Sequence, residues 1–371
     1  MDFCISSILT NASFYSSYLH LSSTFLGTLM AISTTCFVIL AVPFGRFSDR
    51  VKRTHFLAAA CLLIAGVSLV FPFCRRKLEL GIVFSCLGIS MALFWPAYEA
   101  WLAEREGVGS LIKRLMIFNL FWSTGITFGP FISGHLYRDS NPFIPFYLAS
   151  GFSIINWLGL YVQTRLHQGI HSHVPSNKTL SLPKDPPAWQ HIHLQIARIA
   201  NFASWFALGI LRHLAPKLTL EMGISTKLFG NLMFVLGAAQ MLMFIWLGTD
   251  RSAGWHYRLS PLIGGQFLAG IGFAGVWFLE QPILWAPSFA AMGLCAAVTY
   301  FSSMYYSLHE QTDKGNKSGW HEAILGCGVL LGPFIGGVLA DSALGVKSPY
   351  LLCAGVIGLC IFVEGFIWTK R

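Results

Sequence analysis

Residues 45–53 read Gly-Arg-Phe-Ser-Asp-Arg-Val-Lys-Arg, and this short basic stretch separates two long apolar runs. One apolar run ends at Phe44 and the next begins at Phe56. Four of the nine residues are Arg or Lys, and short loops rich in these residues face the cytoplasm in membrane proteins. The stretch therefore predicts a tight cytoplasmic turn between two membrane-spanning helices.

The composition indicates a membrane protein rather than a soluble one. The chain has 371 residues, of which 54% are hydrophobic and only 11% are charged, whereas soluble domains carry about 25% charged residues. The net charge of +9 comes from basic residues in the short loops between apolar runs, so nucleic acid is not expected as a partner. The nine cysteines show no paired spacing typical of metal ligands, and we expect neither a metal site nor a cofactor.

Hydrophobic runs of about 20 residues are long enough to cross a bilayer as helices. The sequence predicts twelve, six on each side of a polar, proline-rich linker: Phe3–Leu19, Thr24–Phe44, Thr54–Phe73, Leu80–Trp101, Leu115–Tyr137, Phe143–Tyr161, Leu194–Leu214, Leu228–Leu247, Pro261–Leu279, Leu284–Leu308, Ala323–Ala340 and Tyr350–Trp368. We therefore expect an N-terminal six-helix bundle (1–162), a cytoplasmic linker (163–192) and a C-terminal six-helix bundle (193–371).

The distribution of basic residues predicts that both termini are cytoplasmic. With this orientation the inside loops carry 16 Lys and Arg residues and the outside loops eight, among them Arg212 and Lys217. This excess agrees with the tendency of cytoplasmic loops to be positive, although the basic run 75–77 falls outside.

The two halves of the chain resemble each other. Residues 125–134, Gly-Ile-Thr-Phe-Gly-Pro-Phe-Ile-Ser-Gly, match residues 328–337, and residues 25–30 match residues 228–233. Both matches have an offset of 203 residues, which indicates an internal duplication. Two related bundles predict a binding site at their interface, near the middle of the membrane.

The first predicted helix, Phe3–Leu19, is the weakest of the twelve because it contains several Ser residues. On the alignment of the two halves, the start of the seventh span near His193 corresponds to a position about ten residues before Met1. We therefore expect the first helix to be short at its start.

With this turn, the two sets of six spans and the repeat, the chain resembles the major facilitator superfamily of secondary transporters. The match to the family signature between helices two and three rests on Gly45, Phe47, Asp49, Arg50 and Arg53, whereas Lys52 and Thr54 depart from it. The resemblance implies an all-α integral membrane fold, in which two six-helix bundles are related by a pseudo-two-fold axis. It also implies a monomer that works by alternating access.

The resemblance further implies a cytoplasmic gate that holds the two halves together in the outward-facing state. The gate residues would be Gly45, Asp49, Arg50 and Arg53. Gly45 would allow helices two and eleven to approach closely, and Glu99 and Glu104 would pair with the arginines. The alternative is that the arginines only set the membrane topology.

The substrate cavity is expected to be lined by Arg198, Asn201, Trp205, Trp95, Glu99 and Tyr306. Arg198, Asn201 and Trp205 share one face of the seventh span, and a charge inside a span marks a functional site by default. Arg198 would be the counter-charge for an anionic substrate, or it would extend to the lipid headgroups. Glu99 lies beside a proline kink in the fourth span. It would either line the cavity there or serve only the gate.

Acidic residues are not expected at the middle of the membrane. Asp2, Glu280, Glu322 and Glu364 all lie near predicted span ends or in loops. A carboxylate relay for protons is therefore not predicted.

The function predicted by these features is secondary active transport of a small solute, such as an organic anion, a sugar or a drug-like molecule. The alternative is a non-transporting membrane sensor or scaffold of the same fold. No nucleotide-binding motif or catalytic cluster is evident, so an enzyme is not expected. The expected partners are the substrate, the lipid of the cell membrane and a coupling ion that the sequence does not identify.

Overall fold

The computed structural model describes residues 1–48, 50, 52–103, 111–166, 188–249, 255–309 and 314–369, with side chains outside the description at 99–103, 166, 188 and 314–319. Within these ranges the protein consists of helices joined by short turns. The helices are α1 (Asp2–Tyr18), α2 (Ser23–Ser48), α3 (Arg53–Val70), α4 (Lys77–Ala103), α5 (Leu111–Leu136), α6 (Ile144–Leu166), α7 (Ala188–Gly209), α8 (Ala215–Glu221), α9 (Thr226–Leu247), α10 (Leu259–Phe278), α11 (Ala286–Leu308), α12 (Lys314–Ala340) and α13 (Ser348–Thr369).

Ten helical segments in the described chain are long and apolar enough to cross a membrane. One of them, Trp189–Glu221, consists of α7, a π-helical turn (Ile210–Leu214) and α8. The helices α1, which has 17 residues, and α6 complete the twelve predicted spans. The predicted all-α membrane fold is therefore confirmed.

Helix packing shows the pseudo-two-fold relation between the halves. In the first half α1 packs on α5, α2 on α4 and α3 on α6, and in the second half α7 packs on α12, α9 on α11 and α10 on α13. The repeat relates each helix pair of the first half to one helix pair of the second half. The halves meet mainly through α2 with α12 and α5 with α9, which are again equivalent pairs.

Glycines at these two crossings occupy equivalent positions. A Cβ added to Gly27 in α2 would meet the carbonyl of Pro333 in α12, and a Cβ added to Gly230 in α9 would lie 3.2 Å from the carbonyl of Pro130 in α5. The offset of 203 residues relates Gly27 to Gly230, and Pro130 to Pro333. Small residues at such contacts let helix backbones approach closely, so the duplicated sequence produces two copies of one crossing.

The loops lie on two faces because successive spans alternate in direction. We call the face that carries residues 45–53 the Gly45 face, and the opposite face, which carries the loop after α12, the Asp341 face. On the Asp341 face the halves are in contact: the backbone N–H of Lys217 donates to the Ser13 hydroxyl at 3.0 Å, and the rings of Phe14 and Phe229 meet with centroids 5.8 Å apart. The carboxylate of Asp341 also binds the start of α2. This face is therefore closed.

Several predicted boundaries need correction. The seventh span does not end at Leu214, because the π turn carries the helix on into α8. Arg212, which was counted with an outside loop, lies in the π turn. Lys217, also counted there, lies in α8, where it is buried and paired with Glu221. The eleventh span starts at Lys314 rather than Ala323.

The helices also extend into the predicted linker. The first half continues in α6 to Leu166, and α7 begins at Ala188, so only residues 167–187 separate them. These residues lie outside the described part of the chain.

Candidate functional site

A cavity of about 170 Å³ lies between the two halves. Its wall comes from α1, α2, α4 and α5 of the first half, and from α7, the π turn, α11 and α12 of the second. The lining is mostly apolar and aromatic, and its acidic and basic side chains are Asp2, Arg212, His213 and Glu322. An apolar cleft with a few polar groups is typical of small-molecule sites.

Aromatic rings from both halves meet in the cavity wall. Trp122 of α5 stacks on Tyr300 of α11, with centroids 5.5 Å apart and planes 13° apart. Trp205 of α7 completes the group, with its centroid 5.8 Å from each of the other two rings. These flat surfaces offer stacking contacts to a planar ligand.

Arg212 places its guanidinium against this aromatic group. Its Cζ atom lies 5.3 Å from the Trp205 centroid and 5.8 Å from the Trp122 centroid, within the range of cation–π attraction. An Nη2 group of Arg212 donates to Gln240 of α9 over 3.5 Å. The side chain therefore bridges elements of both halves.

Two acids face the same space. Asp2 of α1 lines the cavity and is near enough to Arg212 for electrostatic attraction. Glu322 of α12 also lines it, with Oε1 3.9 Å from Nε2 of His321. Asp2 is the first residue of α1 and Glu322 lies within α12, and both line the cavity. That no acid lies at the middle of the membrane stays a prediction.

Glu364 lies near the end of its span, α13, as expected. It is completely buried in α13, and both carboxylate oxygens accept from Nε2 of Gln266 in α10, at 2.9 and 2.8 Å. This pair lies outside the cavity wall.

The structure brings two of the six predicted cavity residues, Trp95 and Trp205, into the cavity wall. Asn201 lies one turn away in α7 and is fully buried, with neither side-chain atom hydrogen-bonded. Arg198 is half-buried, and its positive charge lies near His321. The Nδ1 atom of His321 is hydrogen-bonded to the Ser303 hydroxyl at 2.8 Å. Both polar residues are therefore behind the wall rather than in it.

The other two predicted cavity residues contribute no described lining. Tyr306 stacks on Tyr257, with centroids 4.6 Å apart, and its hydroxyl accepts from the Tyr257 backbone N–H at 2.8 Å. The Glu99 side chain lies outside the described residues, although its backbone belongs to α4.

The predicted gate is only partly described. A Cβ on Gly45 would lie 3.3 Å from the Pro96 side chain in α4, so Gly45 faces α4 in this state, and its approach to the eleventh span in the outward-facing state stays a prediction. Arg50 is exposed in the turn and Arg53 is half-buried at the start of α3. Asp49 and the expected partner Glu104 lie outside the described residues.

Sequence reasoning missed Arg212, Asp2 and Glu322. The repeat carried a signal for Asp2, because the offset of 203 aligns it with Trp205, which was already placed in the cavity. Glu322 was missed because the start of α12 was set too late. Nothing in the local pattern marked the π turn that carries Arg212 into the wall.

Comparison with known proteins agrees with this architecture. A family model described as "Major Facilitator Superfamily" matches residues 1–318. The chain belongs to this family. A solved structure of a bacterial homologue of the human lysosomal transporter Spinster, described as inward-facing and occupied, superposes with a TM-score of 0.73 at 12% identity, covering 99% of this chain and 93% of that one.

Three proteins from Bacillus subtilis (strain 168) are similar in sequence to this chain, two of them over almost its whole length. "Multidrug resistance protein 1" is 24% identical over 359 residues, which is 92% of this chain and 87% of that protein. "Multidrug resistance protein 2" is 23% identical over 387 residues, covering 95% and 88%. The MFS-type transporter YhjO is 30% identical over 129 residues, but this match spans only 34% of this chain and 32% of YhjO.

Proposed function

We propose that this member of the superfamily is a secondary active transporter that moves a small, largely aromatic organic solute across the cell membrane by alternating access. The observation that carries the proposal is the cavity between the halves, which is lined by helices from both and walled by tryptophans and a tyrosine. The names of the two multidrug resistance proteins support an organic rather than an inorganic solute.

The packing of the halves supports a rocking motion. The crossings of α2 with α12 and of α5 with α9 are equivalent and consist of close backbone contacts at glycines. Such contacts offer few interlocking side chains, so the two bundles can pivot about them. Contacts on the Asp341 face then close one side of the cavity, while the turn at residues 45–53 would close the other in the alternate state.

The orientation that we propose places the Gly45 face and both termini in the cytoplasm. Moving Arg212 and Lys217 from the outside loops into a helical segment increases the excess of basic residues on the Gly45 face, which favours this orientation. In the state described here, the solute would thus exchange with the cytoplasm.

Flux through proteoliposomes tests the proposal. Purified full-length protein would be reconstituted with a mixture of small aromatic compounds, and counterflow of each would be followed by mass spectrometry. A matched pair of variants provides the control. Gly337→Trp places a bulky ring where a Cβ would already meet the Ser23 carbonyl, whereas Gly66→Trp enters open space. We expect flux with the protein and with Gly66→Trp, and none with Gly337→Trp. Folded protein without flux of any compound would instead favour the sensor or scaffold.

A further inference from the structure

Arg212 occupies an unusual backbone position. It lies in the π-helical turn Ile210–Leu214, which joins α7 to α8. A π turn adds one residue to a helical turn and occurs frequently at functional sites. Here Arg212 and the next residue, His213, both line the cavity. Since a charged side chain within a membrane span is costly, its presence in a cavity wall indicates a function.

Most of the hydrogen-bonding capacity of Arg212 is unused. A guanidinium has five N–H donors. In the part of the chain that the structure describes, its one hydrogen bond goes to Gln240 over 3.5 Å, and its Nε atom is buried without an acceptor. The rings of Trp122 and Trp205 attract the cation through their faces, but they do not accept hydrogen bonds in the plane of the guanidinium.

The nearby acids do not neutralise Arg212 by contact. Asp2 and Glu322 line the same cavity, yet among the described residues neither forms an ion pair with Arg212 within 4.0 Å. The negative charge of Asp2 attracts the Arg212 guanidinium only over a longer distance. A buried cation without a contacting anion is destabilised. A carboxylate or sulfonate bound to the planar fork would supply the missing acceptors.

The surroundings of Arg212 define the rest of the ligand. Trp122 and Tyr300 form a stacked pair beside it, and Trp95 also lines the cavity. An aromatic ring attached to the anionic group could stack on this wall while the anionic group reaches the guanidinium. A neutral or cationic ring system would leave the donors of Arg212 unpaired.

We propose that the cavity selects aromatic molecules that carry one anionic oxygen group, and that Arg212 binds this group. The inference rests on the proposed transport function, since it names the substrate class of the same cavity. It assigns the counter-charge to Arg212 instead of Arg198, which lies behind the wall.

Ligand binding to the full-length protein in lipid nanodiscs tests the inference. The probes are 2-naphthoate, its neutral isostere 2-naphthamide and the cation 2-naphthylmethylammonium, with affinities measured by calorimetry at neutral pH. We expect 2-naphthoate to bind at least about tenfold more tightly than the other two, since a charge-assisted bidentate contact is lost with both. Equal affinities, or tighter binding of the cation, would overturn the proposal.

Variants at Arg212 and Arg198, which lie in the same helical segment, test which arginine causes the preference for 2-naphthoate. Arg212→Gln should abolish the preference for 2-naphthoate, and Arg212→Lys, which keeps the charge without the fork, should reduce it. Arg198→Gln should retain it. Thermal unfolding of each variant shows that it is folded, and if Arg212→Gln does not fold, Arg212→Lys decides. A full preference in Arg212→Lys, or its loss in Arg198→Gln, contradicts the assignment.

The binding assay separates this inference from the proposed function. Selective binding of 2-naphthoate without any flux would support the anion site and contradict transport. Flux of neutral or cationic aromatics without anion preference would support transport and contradict the anion site.

Discussion

The carboxylate of Asp341, directly after α12, accepts a 2.7 Å hydrogen bond from the hydroxyl of Thr24 at the start of α2. The same carboxylate accepts from the backbone N–H groups of Thr24, at 2.7 Å, and of Ser23, at 3.0 Å. These bonds occupy N–H groups that have no partner within α2, at the positive end of the helix dipole. Because α2 and α12 belong to different halves, this helix cap holds the Asp341 face closed.

Asp341→Asn should therefore shift the protein towards a state that is open on this face. Charge-assisted bonds at an exposed site are worth about 1 kcal/mol, which corresponds to roughly a fivefold change in the ratio of open to closed molecules. Spin labels on cysteines introduced at the exposed residues Ser140 and Leu344, in a cysteine-free background, would report the distance between the halves. We expect a longer-distance population to grow in the variant.

Glu79 provides the matched control for Asp341. Its carboxylate also caps a helix on this face, accepting from the backbone N–H groups of Arg75 and Arg76 at 2.8 and 2.9 Å. This cap lies within one half, so Glu79→Gln should leave the distance distribution unchanged. An equal shift in both variants would mean that the closure does not depend on the contact between halves.

The pH dependence of closure follows from the pKa of Asp341. Burial opposes ionisation of this carboxyl, but the hydrogen bonds from Thr24 and Ser23 outweigh it, and its pKa lies below the ordinary 3.8. A carboxyl whose pKa is lower in the closed state favours closure above its ordinary pKa, and this contribution is lost as the pH falls through the lowered value. The label distance should thus be constant from about pH 8 to pH 5 and lengthen only below about pH 4. Asp341→Asn should remove this acid transition, and its persistence would assign it to another group.

The crossing of α2 and α12 gives a third prediction. Gly27→Ala forces a methyl group against the Pro333 backbone, whereas Gly66→Ala in α3 meets nothing within 4 Å. Overpacking a close contact costs about 1–3 kcal/mol. We expect Gly27→Ala to lower the thermal unfolding temperature and slow flux several-fold, while Gly66→Ala leaves both unchanged. Wild-type flux in Gly27→Ala would show that the crossing tolerates separation.

The repeat explains why the relation between the halves could be predicted from the sequence, whereas other features could not. Gly27 and Gly230 are matched in the alignment of the halves, and both lie at the helix crossings. Close packing requires a small residue at a fixed place, so the same residues mark both features. Trp95 and Trp205 line the cavity, and residue spacing along a helix was enough to place them on an inward face. Such features are local and periodic, so they are visible in one sequence.

Arg212 illustrates a feature that could not be predicted from the sequence. Its place in the cavity depends on the π turn Ile210–Leu214, through which the seventh span continues into α8. Near the end of an apolar run an arginine resembles a loop residue, and only tertiary packing decides between the two. Tyr306 failed for the opposite reason: it has the right helix and spacing, but its ring pairs with Tyr257 instead of facing the cavity.

Trp122 should contribute directly to solute affinity. Its ring stacks on Tyr300 and lies against Arg212, so Trp122→Ala removes one wall of the site and the cation–π contact that positions the guanidinium. Each contact is worth about 1 kcal/mol, and together they correspond to roughly a thirtyfold higher solute concentration at half-maximal flux. The maximal flux should change less, because the crossings between the halves remain intact. Trp246 of α9, which is 47% exposed on the outer surface, is the control, and Trp246→Ala should leave both parameters unaltered. If Trp122→Ala lowered the maximal flux and left the half-maximal concentration unchanged, Trp122 would act in the motion of the halves rather than in binding.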